Sequence, residues 1–226
     1  MKIYWRTFLK HRTKDDKNAF PVGSRVYTGF QGNGKTLAMV DYAFRIKELY
    51  PKCEIFSNVI LKGIEYHQIE NDHDVEVAIG FQNGKNGVLV LLDEAHLYFN
   101  KKTGISVDVL TAISQQRKDR RKIVFTSQIW EELDISLRKQ VKEVIRCKRF
   151  LNLIILRIGN GETLHYNKLT NEYETDRIEF QIFKMNDEYY NRYDTYQKIV
   201  TNKEYDWGGA RAAPSTRPPV IINNAK

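Results

Sequence analysis

Eight consecutive residues, Gly29-Phe30-Gln31-Gly32-Asn33-Gly34-Lys35-Thr36, fit the pattern G-x-x-x-x-G-K-[ST]. That combination is suited to holding phosphate. Glycines at 29, 32 and 34 can take backbone conformations closed to other residues, so successive N–H groups turn inward around phosphate oxygens. A helix starting at Lys35 adds the positive end of its dipole, and Leu37-Ala38-Met39-Val40 is a helix-friendly run. Lys35 is placed to reach β- and γ-phosphates, and Thr36 to set its hydroxyl on a magnesium ion. The expected cofactors are therefore ATP and Mg²⁺, with Gly29 through Leu37 as the binding stretch. A glycine-rich strand-to-helix turn that binds nothing is the competing reading. The context of apolar-aromatic lead-in, loop and helix is the one the motif requires.

A second set of reactive groups comes about 58 residues after Lys35, where the apolar run Val88–Leu92 ends in Asp93-Glu94. A nucleoside triphosphatase needs a carboxylate at a strand tip to hold the Mg²⁺ shell, and Asp93 suits it. It also needs a carboxylate beside the first to orient and deprotonate water, a role that falls to Glu94. The next apolar run, Ile123–Thr126, leads to Gln128, a neutral amide able to sense a γ-phosphate or the attacking water. Arg117, Arg120 and Arg121 stand at helical spacing, followed by Arg138. One of the first three could complete a neighbouring subunit's site by stabilising transition-state charge. A solvated basic face and a contact to nucleic-acid phosphates remain open beside it. Lys101 and Lys102, in an exposed basic loop, are candidates for touching DNA phosphates.

These groups need a parallel sheet to position them. Strands are expected at Ser24–Thr28, Glu54–Ile60, Val88–Leu92, Ile123–Thr126 and Glu143–Arg149, with helices at Lys35–Tyr50, Val107–Arg121 and Ile135–Lys142. Val75–Gly80 reads as a short helical tail, and Val107, Leu110 and Ile113 as an inward face. From Phe150 the pattern turns to β alternation: Leu151–Ile158, a turn at Gly159-Asn160-Gly161, Glu162–Tyr166 and Asp176–Phe183 suggest a small appended meander. A tyrosine-rich helix is expected at Asn186–Val200, and a tail without periodicity from Trp207. Residues 1–23 form a basic, aromatic arm, either packed on its own domain or reaching a neighbour or DNA. The division is thus arm 1–23, core 24–149, appendage 150–206 and tail 207–226.

The composition agrees with an α/β core. The 226 residues are 42% hydrophobic, against general disorder, and the net charge of +8 favours a polyanionic partner. Cys53 and Cys147 lie far apart, outside any C-x-x-C, and read as reduced core residues. No apolar run approaches the ~20 residues needed to span a bilayer, and the N-terminus has no signal-peptide core.

Taken in order, YTGFQGNGKTLAMV, IFSNVILKG, VLVLLDEAHLYF, SQQRKDRR, IVFTSQ and LDISLRKQVKEVIRCKR resemble the FtsK–HerA superfamily of ring-forming P-loop motors, and within it the zonula occludens toxin-like group. The resemblance covers about residues 24–149. It implies a RecA-like fold of the ASCE type and ATP-driven movement of double-stranded DNA through a homo-oligomeric ring of five or six subunits. Viral genome packaging, with a capsid or portal-vertex partner, is the implied setting, in the host cytoplasm or on the virion. Filamentous-phage assembly ATPases of the group usually continue into a transmembrane helix. This sequence shows none, which favours the packaging-type motor over an export motor. Asp93–His96 also spells the D-E-A-H of one helicase class, but too little chain follows for that class's second motor domain. A nucleotide-switched scaffold and a small-molecule kinase share the phosphate loop. The acid pair counts against the scaffold, and the pair together with the strand-end glutamine counts against the kinase.

Overall fold

A computed structural model of the chain describes residues 19–99, 104–128, 130–169, 172–185, 191–193 and 221–222. Its elements are β1 (Gly23–Thr28), α1 (Lys35–Leu49), β2 (Glu54–Ser57), β3 (Tyr66–Gln68), α2 (Asp72–Gly80), β4 (Val88–Leu92), α3 (Val107–Ser114), β5 (Arg121–Ser127), α4 (Ile135–Gln140), β6 (Val141–Phe150), β7 (Leu153–Asn160), β8 (His165–Asn167), β9 (Glu172–Glu174), β10 (Arg177–Lys184) and β11 (Ile221–Ile222).

One sheet organises the chain, with strands in the order β10-β7-β6-β1-β5-β4-β2-β3-β11. The six from β6 to β3 run parallel. The central strand β4 is a continuous apolar run because both of its faces are covered; all five of its residues are buried. Alternation sends Tyr27, Leu89, Leu91, Val124 and Ile145 toward α1. Val26, Val90, Ile123 and Phe125 point the other way, toward Val75 and Ile79 of α2, Ile113 of α3 and Leu137 of α4. The order has one consequence for chemistry. β5 lies between β1 and β4, so its tip separates the phosphate loop from the acid pair.

Beyond β6 the sheet continues with β7 and β10, both antiparallel. Within the expected appended meander, β7 and β10 therefore extend the central sheet itself. The reason is burial: Cys147, Ile154, Leu156, Ile158 and Phe183 join the same core as α1. The hairpin reversal lies at Leu151-Asn152, with Phe150 opposite Leu153, and β7 runs on through Gly159 to Asn160. The tail, expected without regular structure, contributes Ile221–Ile222, paired antiparallel to Tyr66 and His67. Only residues 191–193 of the expected helix at Asn186–Val200 are described, and residues 1–18 lie outside the description.

The expected helix at Val107–Arg121 stops at Ser114. Ser106 caps its start by accepting from the Val109 N–H, so Val109 and Ile113 face inward while Val107 is 78% exposed. Gln116 then enters the core, exchanging hydrogen bonds of 3.0 and 3.1 Å with Ser24. Arg120 turns left-handed, with φ 49°, to start β5. Arg25, Lys122 and Glu143 form a partly buried ion cluster across β1, β5 and β6, with Glu143 2.9 Å from Arg25 and 2.8 Å from Lys122. Both cysteines are free and buried.

Candidate active site

The loop leaving β1 has the backbone a phosphate cradle requires. Gly29 takes φ 138°, and a Cβ there would stand 2.6 Å from the Cys147 carbonyl oxygen of β6. Gly34 takes φ 78°, and a Cβ there would overlap Ile154 of β7. A side chain at 29 would collide with the β6 backbone and one at 34 would force Ile154 aside, and both positive φ angles favour glycine. Asn33 donates its N–H to the Phe30 carbonyl at 3.2 Å, closing the turn. Phe30 stands at the tip, 84% exposed, with Gln31 and Gly32 also exposed. The Lys35 ammonium folds beneath the loop, donating to the carbonyls of Gly29 at 3.0 Å and Phe30 at 3.4 Å. Leu37 buries its side chain in the core, so only its backbone N–H in the first helical turn is available to a phosphate.

Asp93 meets this loop from β4. The Thr36 hydroxyl donates to its carboxylate, 2.9 Å from Oδ1 and 3.1 Å from Oδ2. From β5, the Thr126 hydroxyl donates to Oδ1 at 2.7 Å while accepting the Glu94 N–H at 2.9 Å. One hydroxyl thus ties down both acids. Asn58, just past β2, clamps the Asp93 main chain from the other side: it accepts the Asp93 N–H at 2.7 Å and donates to the Asp93 carbonyl at 2.9 Å. Asn58 also lies 3.3 Å from the Tyr98 hydroxyl. Magnesium takes oxygen ligands, commonly one or two carboxylates supplemented by nucleotide phosphates and water. The adjoining Thr36 hydroxyl and Asp93 carboxylate fit that need. Among the described residues there is no group of three or more acids, histidines and cysteines able to hold a metal alone.

Replacing Asn58 by Ala strands a buried N–H and C=O at Asp93. The expected cost is about 2–3 kcal/mol, read as a lower urea midpoint, together with a loss of turnover as Asp93 drifts. Asp93 carries a second prediction. Burial pushes its carboxyl above the ordinary range; the hydrogen bonds from Thr126 and Thr36 pull it down only in part, and Glu94 pushes it up further. The folded state therefore disfavours the ionised form. The penalty is absent below the ordinary carboxylate pKa and grows as pH rises through the ordinary value toward the raised one. Asp93→Asn, which can still accept from both threonines, is expected to raise the melting temperature of nucleotide-free protein at pH 7 by about 2–4 °C. At pH 3.5 the gain should vanish. Magnesium-dependent nucleotide binding should be lost at either pH.

Glu94 sits in the left-handed region, φ 51° and ψ 51°, a conformation that costs a side chain of order 1–3 kcal/mol. Its carboxylate lies between Gln128 and His96. Oε1 accepts from the Gln128 amide at 3.0 Å. Oε2 is buried 3.3 Å from His96 Nδ1, yet neither atom completes a hydrogen bond. A carboxylate steered by an amide on one oxygen, with the other holding no hydrogen bond, has acceptor capacity left for a proton, as water activation requires.

The arginines do not join this centre within one chain. Arg117 is exposed and Arg120 half-buried on the turn before β5, with Arg120 roughly 25 Å along that strand from Gln128. Arg121 drops out of the group expected to reach a neighbour. It is fully buried, donating to the Phe81 carbonyl at 2.9 Å and the Ala112 carbonyl at 3.2 Å, with Asp119 3.3 Å away. Its role is to fix the start of β5. Helical spacing also fails here, because Arg117 and Arg121 flank a non-helical turn. Lys101 and Lys102 lie outside the described residues. Beside the loop opens a cavity of about 720 Å³ whose walls include Gly29, Phe30, Gln128, Arg146, Arg157 and Tyr173. Asn58, Thr126 and His96 are additions to the site that no local motif announces.

With this geometry in place, the sequence profile of the family described as Zonular occludens toxin (Zot) matches residues 25–198, well over half of the chain. The chain belongs to the Zot family. No curated protein matches it. Among solved structures, the N-terminal domain of zonular occludens toxin from Neisseria meningitidis is similar at 18% identity and TM-score 0.58, covering 76% of this chain and 98% of that one. The genome packaging NTPase of Sulfolobus turreted icosahedral virus 2, in complex with sulfate, aligns at 12% identity and TM-score 0.50, over 68% of this chain and 95% of that one. At these identities the likeness is one of fold, that of a P-loop NTPase with helices on both faces of a mostly parallel sheet. No helix among the described residues of this Zot-family chain is long and apolar enough to cross a membrane.

Proposed function

We propose that the chain is an ATP-hydrolysing motor that moves double-stranded DNA, acting as a homo-oligomeric ring in viral genome packaging. One observation carries the hydrolysis: three strand tips meet, with Thr36 2.9 Å from Asp93 and Gln128 3.0 Å from Glu94. In this reading Lys35 and the loop N–H groups hold the triphosphate, and Thr36 and Asp93 hold Mg²⁺. Bound there, Mg²⁺ would supply screening of the phosphate charge; Glu94 takes the proton of the attacking water, and Gln128 orients it. In this reading Arg117 or Arg120 of a neighbouring copy adds a further cation to the site. Membership of the Zot family supports a second reading, a phage assembly or export ATPase that uses the same hydrolytic centre.

Hydrolysis measured at low salt with and without linear duplex DNA tests the coupling. Stimulation of several-fold is the expected result. An identical rate in both conditions would leave a nucleotide-switched assembly scaffold as the better account.

A further inference from the structure

Two buried polar atoms beside the hydrolytic centre find no hydrogen-bond partner among the described residues. They are Oε2 of Glu94 and Nδ1 of His96, and they lie 3.3 Å apart. Buried polar atoms nearly always pair, so two that face each other across a slightly long gap point to a contact that is used. The backbone holds them there. Glu94, at φ 51° and ψ 51°, opens a single tight turn, Ala95–Leu97, in which the Leu97 N–H donates to the Glu94 carbonyl at 2.9 Å. The N–H groups of Tyr98 and Phe99 both donate to the Ala95 carbonyl, at 3.1 and 2.9 Å. Ala95, Tyr98 and Phe99 are all buried, which pins the turn to the core. Side chains two positions apart diverge in a regular helix. The left-handed Glu94 departs from that geometry, and its carboxylate meets the imidazole.

We infer that His96 is a positioning residue for Glu94, donating from Nδ1 to Oε2 during catalysis, an assignment that rests on Glu94 being the base of the proposed hydrolysis. Gln128 and His96 then hold one carboxylate oxygen each. An ionised carboxylate offers about four lone-pair sites, so two donors still leave room for the proton of water. What the second donor removes is rotation. A carboxylate held only at Oε1, 3.0 Å from the Gln128 amide, can swing about that contact; one held at both oxygens keeps its plane. Proton abstraction needs a lone pair within hydrogen-bond reach of the water, and a misplacement of ~1 Å can cost about a hundredfold in rate. His96 acts on the nucleotide only through Glu94, so its effect falls on turnover and not on affinity. Donation from Nδ1 also fixes the tautomer of a neutral imidazole, with the hydrogen on Nδ1 and none on Nε2.

The first measurement is made on the wild-type chain. Long-range proton–nitrogen NMR spectra of full-length, nucleotide-free, nitrogen-labelled protein report whether each imidazole nitrogen carries a hydrogen, and the His96 signals are those lost in H96N. A hydrogen on Nδ1 is expected; a bare Nδ1 would overturn the assignment. Steady-state ATP turnover is the second. H96A should lower kcat about ten- to a hundredfold while KM for ATP stays the same. H96N, whose amide nitrogen can stand where Nδ1 stands, should recover most of that loss. H96Q, whose amide lies farther out, at the distance of Nε2, should not. Either amide fills the gap, so a residue that only packs would be rescued by both. A kcat for H96A within about threefold of wild type, or equal rates for H96N and H96Q, would overturn the role. Failure of the hydrolytic reading looks different. Turnover absent from wild type, or untouched by Glu94→Gln, removes the base and the role of His96 with it. Turnover that needs Glu94 and ignores His96 leaves the hydrolytic reading standing and removes His96 alone.

Discussion

Replacing Glu94 by Gln is expected to slow ATP turnover by about two to four orders of magnitude, the usual span for removing a positioned general base. Binding of ATP should change little. Glutamine retains the oxygen that accepts from Gln128 at 3.0 Å, and the carboxylate it removes is the group left without a hydrogen bond at Oε2. The backbone at φ 51° asks the same of either side chain. Single-turnover hydrolysis alongside equilibrium binding of a fluorescent ATP analogue separates the two effects. Turnover within a factor of three of wild type would remove Glu94 as the base. A loss of binding equal to the loss of rate would make it a structural residue.

Lys35→Ala carries the other large effect, and it falls on binding. The ammonium is held at the loop by two backbone carbonyls, at 3.0 and 3.4 Å, on a side chain that is otherwise buried. Charge-assisted hydrogen bonds to two phosphates are worth about 1.5–3 kcal/mol each, so ATP affinity should fall by at least about a hundredfold. Hydrolysis at a fixed ATP concentration should become undetectable, with or without DNA. Isothermal titration with ATP and Mg²⁺ measures the loss, and the thermal midpoint checks that the loop still folds. Retention of near-wild-type affinity would mean that the Gly29–Thr36 stretch is not where the triphosphate sits.

The parts of the site readable in the sequence are those whose chemistry demands a fixed local string. Gly29 through Thr36 must be contiguous to wrap a phosphate. Asp93 and Glu94 must follow a fully buried strand, and that strand shows as five apolar residues. Gln128 became legible only as the end of the next such run. Asn58 and Thr126 were not legible, because their contacts to Asp93 span 35 and 33 positions and any polar residue at a strand end looks alike. Arg121 misled for a physical reason: a basic cluster reads as surface, whereas two backbone carbonyls and Asp119 hold this guanidinium inside. The extent of α3 failed likewise. Helical spacing continues past Ser114, but the tertiary bond between Gln116 and Ser24 draws the chain out of the helix. The place of β7 and β10 could not be foreseen from alternation alone, since a separate meander and a sheet extension share the same pattern.

The continuity of that sheet has a mechanical meaning. Gly29 lies so close to the Cys147 carbonyl of β6 that not even a methyl group fits between them, and the Ile154 side chain of β7 packs over Gly34. The loop that would grip a nucleotide is therefore packed directly against the outer strands β6 and β7. A tug on the outer rim would reach the nucleotide grip as distortion, without slack, as a rigid lever passes load to its fulcrum.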